Sequence, residues 1–151
     1  MRRIVAAAGT FLLAGTAAAI LSAGTASAAT TTATAPGMPI LLGSLHLTKT
    51  DSAGVTTTAD LNCVQGRDVY GQTYVSGNGT VTDPIAACRE LADVDGDPSA
   101  LDVHPTWLTS ALYAPVSVTA TGFWNGSAVD WSDTYGNGSV LAKFTGDVFG
   151  F

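Results

Sequence analysis

Histidine is the side chain that most often serves as a general base, and this chain of 151 residues has only two, His46 and His104. His46 lies on the polar face of an apolar strand pattern, and His104 precedes a proline in a loop pattern. The sequence contains neither a G-x-S-x-G serine elbow nor an H-E-x-x-H metal motif. A paired-carboxylate site remains open, because twelve residues are acidic. The scarcity of bases favours a protein that is not an enzyme.

The segment Asp93-Val94-Asp95-Gly96-Asp97 places carboxylates at alternate positions, as a calcium-binding loop does. That loop also needs glycine at its sixth position and a bidentate glutamate at its twelfth. Pro98 and His104 stand there instead. We therefore interpret Asp97 as the cap of a short helix that starts at Pro98. The sequence implies no metal and no cofactor.

A different kind of chemistry is suggested by residues 106–115, an uncharged segment that precedes a strand pattern. Trp107, Leu108, Leu112 and Tyr113 are large apolar side chains in what should be a surface loop. Two interpretations are open. The side chains pack on the core of the protein, or they fill successive pockets of a binding partner.

The first 28 residues have the organisation of a secretory signal peptide. Arg2 and Arg3 form a basic start, residues 4–21 are mostly apolar, and Ala26-Ser27-Ala28 is a small-residue cleavage site. A membrane anchor is disfavoured because glycine and threonine interrupt the apolar run. The protein is therefore expected to be secreted and extracellular.

After the signal peptide, residues 29–39 are rich in Thr, Ala and Pro and are expected to form a disordered arm before a single folded domain, 40–151. Loss of Arg2 and Arg3 leaves four basic and twelve acidic residues, a net charge of −8. Nucleic acid and anionic membranes are disfavoured as partners, because binding phosphate requires clustered Lys and Arg.

Cys63 and Cys88 are the only cysteines, and two cysteines in an exported protein are expected to form a disulfide. Closing the intervening loop should stabilise the fold by roughly 3 kcal/mol. A zinc site or a catalytic thiol is the alternative. Either would need a neighbouring histidine or another base.

The hydrophobic pattern predicts an α+β fold: an antiparallel sheet of about five strands with one or two helices packed on one face. Asp83-Pro84 should begin a helix that buries Ile85, Cys88 and Leu91 and turns Arg89 and Glu90 to solvent. The other predicted elements are strands at 44–50, 56–63, 116–121 and 129–135, turns at 51–54, 125–126 and 137–138, a short helix at 140–144, and a final strand at 146–151.

Several features together are similar to the Streptomyces subtilisin inhibitor-like family of secreted serine protease inhibitors. They are the pair Cys63 and Cys88, the helix Ala86-Ala87-Cys88-Arg89-Glu90-Leu91, Tyr113-x-Pro115-Val116, Trp124-x-Gly126, Asn137, and Val148-Phe149-x-Phe151. The match is continuous from about Asp97 to Phe151 and looser back to Ser44. The order and spacing of the features make the resemblance specific.

The resemblance implies a substrate-like reactive loop, a subtilisin-like serine protease as partner, and a homodimer joined sheet to sheet. The implied scissile bond is Ala111-Leu112, with Ala111 in the primary specificity pocket and Leu108 in a second hydrophobic pocket. Asn137 would support the loop through its side-chain amide. The implied loop residues are Leu108, Thr109, Ser110, Ala111, Leu112 and Tyr113.

The chain departs from the family at two places. A second disulfide that ties down the reactive loop in the family is replaced by Thr109 and Ser139, between which a hydrogen bond could partly substitute. Residues 67–82 are longer than usual and contain a hairpin-like pattern. These departures keep an alternative open: a non-inhibitory binding or structural protein on the same scaffold.

Overall fold

The computed structural model describes residues 37–151. The predicted signal peptide, 1–28, lies outside the described residues, and so does the predicted arm except for 37–39. No helix in the described part has both the length and the hydropathy to cross a membrane. The elements in chain order are β1 (Ile40–Thr50), β2 (Thr56–Arg67), β3 (Thr73–Gly79), α1 (Pro84–Asp93), a 3-10 helix (Pro98–Ala100), β4 (Val116–Trp124), β5 (Ser127–Tyr135) and α2 (Gly138–Thr145).

The five strands form one antiparallel sheet in the order β3-β2-β1-β4-β5. In the central strand, Leu47 pairs with Ala59 of β2 and Ala120 of β4, and all three side chains are buried. His46, one position earlier, points to the opposite, open face. Both helices contribute to the core that covers the buried face, α1 through Leu91 among others and α2 through Leu141. The predicted α+β fold is confirmed.

Two predicted turns form through local side-chain and backbone chemistry. The Asp51 carboxylate accepts hydrogen bonds from the backbone N–H groups of Ala53 and Val55, at 2.8 and 2.9 Å, and so closes the β1–β2 turn. Asn125 and Gly126, both with positive φ, form the two-residue turn between β4 and β5. The predicted hairpin pattern within 67–82 is the β2–β3 hairpin.

Helix α1 begins where the sequence predicts. The Asp83 carboxylate accepts hydrogen bonds from the first free backbone N–H groups, and Pro84 occupies the first helical turn. The predicted disulfide joins Cys88 of this helix to Cys63 of β2. Gly77 of β3 allows the helix to approach closely, because a Cβ at that position would collide with the Pro84 carbonyl and the Cys88 sulfur.

The predicted buried face of α1 is wrong at two positions. Ile85 is 41% exposed, whereas Ala87 is fully buried. Glu90, expected to face solvent, is half-buried, and its Oε2 accepts a hydrogen bond from the Asp147 N–H at 2.8 Å. Burial is the main reason that the pKa of Glu90 is raised to about 7. The helical pattern could not reveal this contact, because it depends on a segment more than fifty residues away.

The predicted final strand at 146–151 is also wrong. Gly146 has a φ of 52°, ends α2 and starts a turn that continues to Phe149. Val148 and Phe149 are buried all the same, and the Phe149 ring centroid lies 5.9 Å from that of Trp131. These apolar side chains fill the core from a turn, without a partner strand.

Candidate functional site

Residues 105–115 lie in the connection between the 3-10 helix and β4 and contain neither helix nor strand. Their large apolar side chains lie in solvent: Leu108 is 100% exposed, Tyr113 81%, Leu112 73% and Trp107 51%. The interpretation that these side chains pack on the core is therefore wrong. The chain instead exposes a row of apolar groups whose desolvation would favour contact with a partner.

The two ends of this loop are fixed to the scaffold by backbone hydrogen bonds. The N–H groups of Val103 and His104 donate to carbonyls in the last turn of α2, at 3.1 and 2.9 Å. The His104 ring also stacks on Trp107, with centroids 3.6 Å apart. On the other side, the Ala114 N–H donates to the carbonyl of Gly136 at 2.9 Å. The exposed residues thus lie between two segments whose backbone is hydrogen-bonded to the scaffold.

Asn137 lies directly behind the loop and begins α2. Its Oδ1 accepts hydrogen bonds from the backbone N–H groups of Ser139 and Val140, both at 3.0 Å. The predicted turn at 137–138 is therefore a helix N-cap, and the predicted helix at 140–144 extends over Gly138–Thr145. This capping fixes the orientation of the Asn137 side chain.

With Oδ1 occupied by helix donors, the Nδ2 group of Asn137 faces the loop. It donates to the carbonyl oxygens of Ser110, at 2.9 Å, and of Leu112, at 2.7 Å. Asn137 is only 8% exposed, so the amide group that donates these bonds is shielded from water. The two carbonyls lie on either side of the Ala111-Leu112 peptide bond, and one buried amide therefore holds the backbone before and after it.

Ser139 holds the loop at a third point. Its Oγ accepts a hydrogen bond from the Ser110 N–H at 3.0 Å and donates to Asn137 Oδ1 at 2.6 Å. Within residues 37–151, no hydrogen bond joins Ser139 to Thr109, so the substitute bond that the sequence allows does not form. Ser139 instead binds the backbone N–H of Ser110, the residue after Thr109.

Sequence reasoning also missed a contact inside the loop. Ser110 Oγ accepts a hydrogen bond from the Leu112 N–H at 3.1 Å. Serine hydroxyls commonly accept from the N–H group two residues on, so the residue type offered a signal, although a weak one. The bond from the Ser110 N–H to Ser139, 29 residues further along the chain, had no local signal at all.

The electrostatics of this site are neutral. Residues 105–115 include no Asp, Glu, Lys or Arg. Tyr135 lies next to Gly136, whose carbonyl binds the loop at Ala114. Burial raises the pKa of Tyr135 to about 12, with Asp133 as a smaller cause, so the Tyr135 phenol stays protonated at neutral pH. The loop therefore presents an uncharged and apolar surface to a partner.

Comparison with known proteins gives a family match over residues 43–137, to the family described as subtilisin inhibitor-like. A subtilase-type protease inhibitor of Streptomyces coelicolor is 33% identical over 136 residues, which cover 90% of this chain and 91% of that protein. Trypsin inhibitor STI2 of Streptomyces longisporus is 31% identical over 106 residues, covering 70% of this chain and 67% of that one.

A solved structure of Streptomyces caespitosus sermetstatin in complex with Bacillus licheniformis subtilisin is also similar. It is 27% identical, covers 76% of this chain and 100% of its own, and superposes with a TM-score of 0.49. The matched family region contains the disulfide, the exposed loop and Asn137. On the strength of the family match and of relatives similar over most of their length, the chain belongs to the subtilisin inhibitor-like family.

Proposed function

We propose that this protein is a secreted inhibitor of subtilisin-like serine proteases, which presents residues 108–113 as a substrate-like loop with Ala111-Leu112 as the scissile bond. One observation carries the proposal. The apolar side chains of the loop are in solvent, while the backbone on both sides of Ala111-Leu112 is hydrogen-bonded to the buried Asn137. The family and the names of the relatives support the same function.

The residue at the scissile bond indicates the class of protease. Ala111 is small and uncharged, which suits the primary pockets of subtilisin-like and elastase-like enzymes and not a pocket that selects Lys or Arg. Leu108, fully exposed three residues earlier, supplies an apolar side chain for a second pocket. Relatives are named for inhibition of subtilases and of trypsin, so members of the family differ in their targets.

Inhibition follows from preorganisation. A loop already held in its bound conformation loses little conformational entropy when it docks, so more of the contact energy appears as affinity. Asn137 holds the residues on both sides of the bond, so the two new ends formed by cleavage would stay close together. Rejoining then competes with release, and turnover is slow.

The loop keeps this restraint without the second disulfide of the family. The Ser110 N–H is bound to Ser139, and the Ser110 and Leu112 carbonyls are bound to Asn137. Each such bond contributes about 0.5–1.5 kcal/mol. Several of them acting on one short segment replace a covalent tether with a polar one. This favours inhibition over the alternative of a non-inhibitory protein on the same scaffold.

The proposal extends to localisation and assembly. Residues 1–28 serve as a signal peptide, and the mature chain works outside the cell as an inhibitor and not as an enzyme. The open face of the sheet carries polar side chains such as His46, whose Nδ1 lies 2.8 Å from Asp60 Oδ1, and no described helix covers it. We propose that two chains pair through this face. Sedimentation of the mature protein should give twice the mass of one chain, and a single-chain mass would contradict the dimer.

The function is tested by titrating the mature chain, residues 29–151, against subtilisin, elastase and trypsin. We expect stoichiometric inhibition of subtilisin or elastase and little effect on trypsin. The Ala111→Lys variant should gain inhibition of trypsin and lose the original target, because only the residue for the primary pocket has changed. Rapid complete hydrolysis at Ala111-Leu112, or no effect on any of the three proteases, would refute the proposal.

A further inference from the structure

The hydroxyl of Ser110 lies beside the nitrogen of the bond proposed to be cut. Its Oγ accepts the Leu112 N–H at 3.1 Å. The backbone of Ser110 is itself held at both polar groups, its N–H by Ser139 and its carbonyl by Asn137. The serine side chain therefore projects from a fixed point, and a short side chain with one rotatable torsion keeps the oxygen near Leu112.

We propose that Ser110 is a positioning residue that retains the leaving amine of Leu112 and so favours resynthesis of the Ala111-Leu112 bond. The inference rests on the proposed inhibitory function and deepens it. It assigns to this chain a hydroxyl-based device that acts at the scissile nitrogen itself. The Asn137 contacts, in contrast, are made to the carbonyls of Ser110 and Leu112 and not to the scissile nitrogen.

The chemistry of the step defines what the hydroxyl must do. The protease serine oxygen forms a bond to the Ala111 carbonyl carbon, the bond from that carbon to the Leu112 nitrogen breaks, and the protease's general acid gives a proton to that nitrogen. The product is an acyl-enzyme and a free amine. Attack of the amine on the ester reforms the peptide and restores the serine hydroxyl. Attack of water instead leaves the Ala111 carboxylate.

Geometry decides between these two outcomes. The amine must stay within about 3–3.5 Å of the ester carbon to react, and holding a nucleophile in place raises its effective concentration greatly over that of a free one. On Leu112 the nitrogen is bound to Ser110 and the carbonyl to Asn137. Two hydrogen bonds at opposite ends of one residue restrain both its position and its rotation. Without the serine hydroxyl, the nitrogen can swing away while the carbonyl remains bound.

Three variants separate this role from a structural or docking role. Ser110→Ala removes the hydroxyl, Ser110→Thr keeps it, and Ser127→Ala is a matched control at the opposite end of the sheet. The main readout is the rate at which a small amount of subtilisin converts intact inhibitor to the cleaved form. This rate reports how often water, and not the Leu112 amine, attacks the acyl-enzyme.

We expect Ser110→Ala to speed the appearance of a new Leu112 amino terminus by about five-fold, which corresponds to about 1 kcal/mol. Ser110→Thr and Ser127→Ala should stay within about two-fold of the wild-type cleavage rate. A change in the inhibition constant with an unchanged cleavage rate would show a docking role only and overturn the inference. If the wild-type chain neither inhibits nor is cut at Ala111-Leu112, the proposed function itself fails.

A second measurement needs no protease. Amide hydrogen exchange at Leu112, followed by NMR on the mature chain, should be slowed in wild type and in Ser110→Thr, and should be faster in Ser110→Ala. Exchange at Leu112 as fast in wild type as in an unstructured peptide would show that the hydrogen bond does not form. That result would overturn the assignment of Ser110 while leaving the inhibitory function standing.

Discussion

Asn137 has two separable tasks, and a pair of substitutions can divide them. Its Oδ1 caps α2, and its Nδ2 binds the carbonyls of Ser110 and Leu112. Serine caps helices about as well as asparagine, but it has no amide to reach the loop. Asn137→Ser therefore keeps the cap and removes the loop contacts, whereas Asn137→Ala removes both.

The magnitudes follow from the number of bonds. Two neutral hydrogen bonds to the loop are worth about 2 kcal/mol together, and both variants should inhibit about 30-fold more weakly than wild type. Loss of the cap costs about a further 1 kcal/mol of folding free energy, which only Asn137→Ala should show. The two variants are thus expected to share one inhibition constant and to differ in stability.

Inhibition constants against subtilisin and urea unfolding monitored by circular dichroism measure the two effects independently. Mass spectrometry of each variant should verify that the Cys63–Cys88 disulfide is intact, so that a misfolded sample is not counted. If Asn137→Ser inhibited as tightly as wild type, the loop would not depend on the amide, and our reasoning about preorganisation would be wrong. Equal losses of stability in the two variants would refute the capping assignment.

Three further results are expected. The double variant Thr109→Cys with Ser139→Cys should inhibit more tightly when oxidised, because a covalent tether further restrains the loop. The same protein under reductant is its control. An inhibition constant that does not respond to oxidation would argue that loop rigidity does not determine the strength of inhibition. Replacing Cys63 and Cys88 together by alanine should lower the free energy of unfolding by about 3.5 kcal/mol, since the disulfide spans 25 residues; denaturant titration measures it, and a loss below about 1 kcal/mol would contradict the loop-entropy estimate. The folded-state pKa of Glu90 is raised to about 7 from 4.5, so the neutral side chain stabilises the fold fully below about pH 4.5 and this contribution is lost as pH rises through 7. The melting temperature should therefore fall over this pH range in wild type, and Glu90→Gln should remove the fall. A pH profile of the melting temperature that Glu90→Gln leaves unchanged would show that another group is responsible.

The parts of the fold that were predicted correctly have local causes. Asp83 before a proline, Asp97 before a proline and the Asn125-Gly126 pair each satisfy or shape the backbone within a few residues. Alternation in the strands also reports directly on which face is buried. These features required no knowledge of the rest of the chain.

The errors arose where the deciding contact is distant. Residues 146–151 have strand-like apolar content, but the reversal at Gly146 directs Val148 and Phe149 into the core from a turn. Glu90 is placed on the polar side by helical periodicity, yet its carboxylate meets the backbone of Asp147. Periodicity within one element cannot report on a neighbour that arrives from elsewhere in the sequence.

The candidate loop was located through apolar residues in an uncharged segment and through the family resemblance. Its internal bonding could not be predicted. The sequence allows a bond between the Ser139 and Thr109 side chains, but the Ser139 hydroxyl accepts from the Ser110 backbone N–H instead. A residue type indicates that a hydroxyl can bond, whereas the choice among neighbouring acceptors and donors depends on positions that differ by an ångström or two.

The restraint on residues 108–113 contains no sulfur. The single cystine of the chain lies in the part of the sheet where Cys63 of β2 pairs with Gly43 of β1. The loop joins the sheet at its other end, where Thr50 of β1 pairs with Ser117 of β4. Gly43 and Thr50 are about 23 Å apart along β1 at the usual rise per strand residue. Thiols that opened the cystine would loosen α1 but would leave the amide and the hydroxyls behind the loop untouched. The exposed segment 108–113 is therefore less sensitive to changes in redox state than a loop that is held by a cystine.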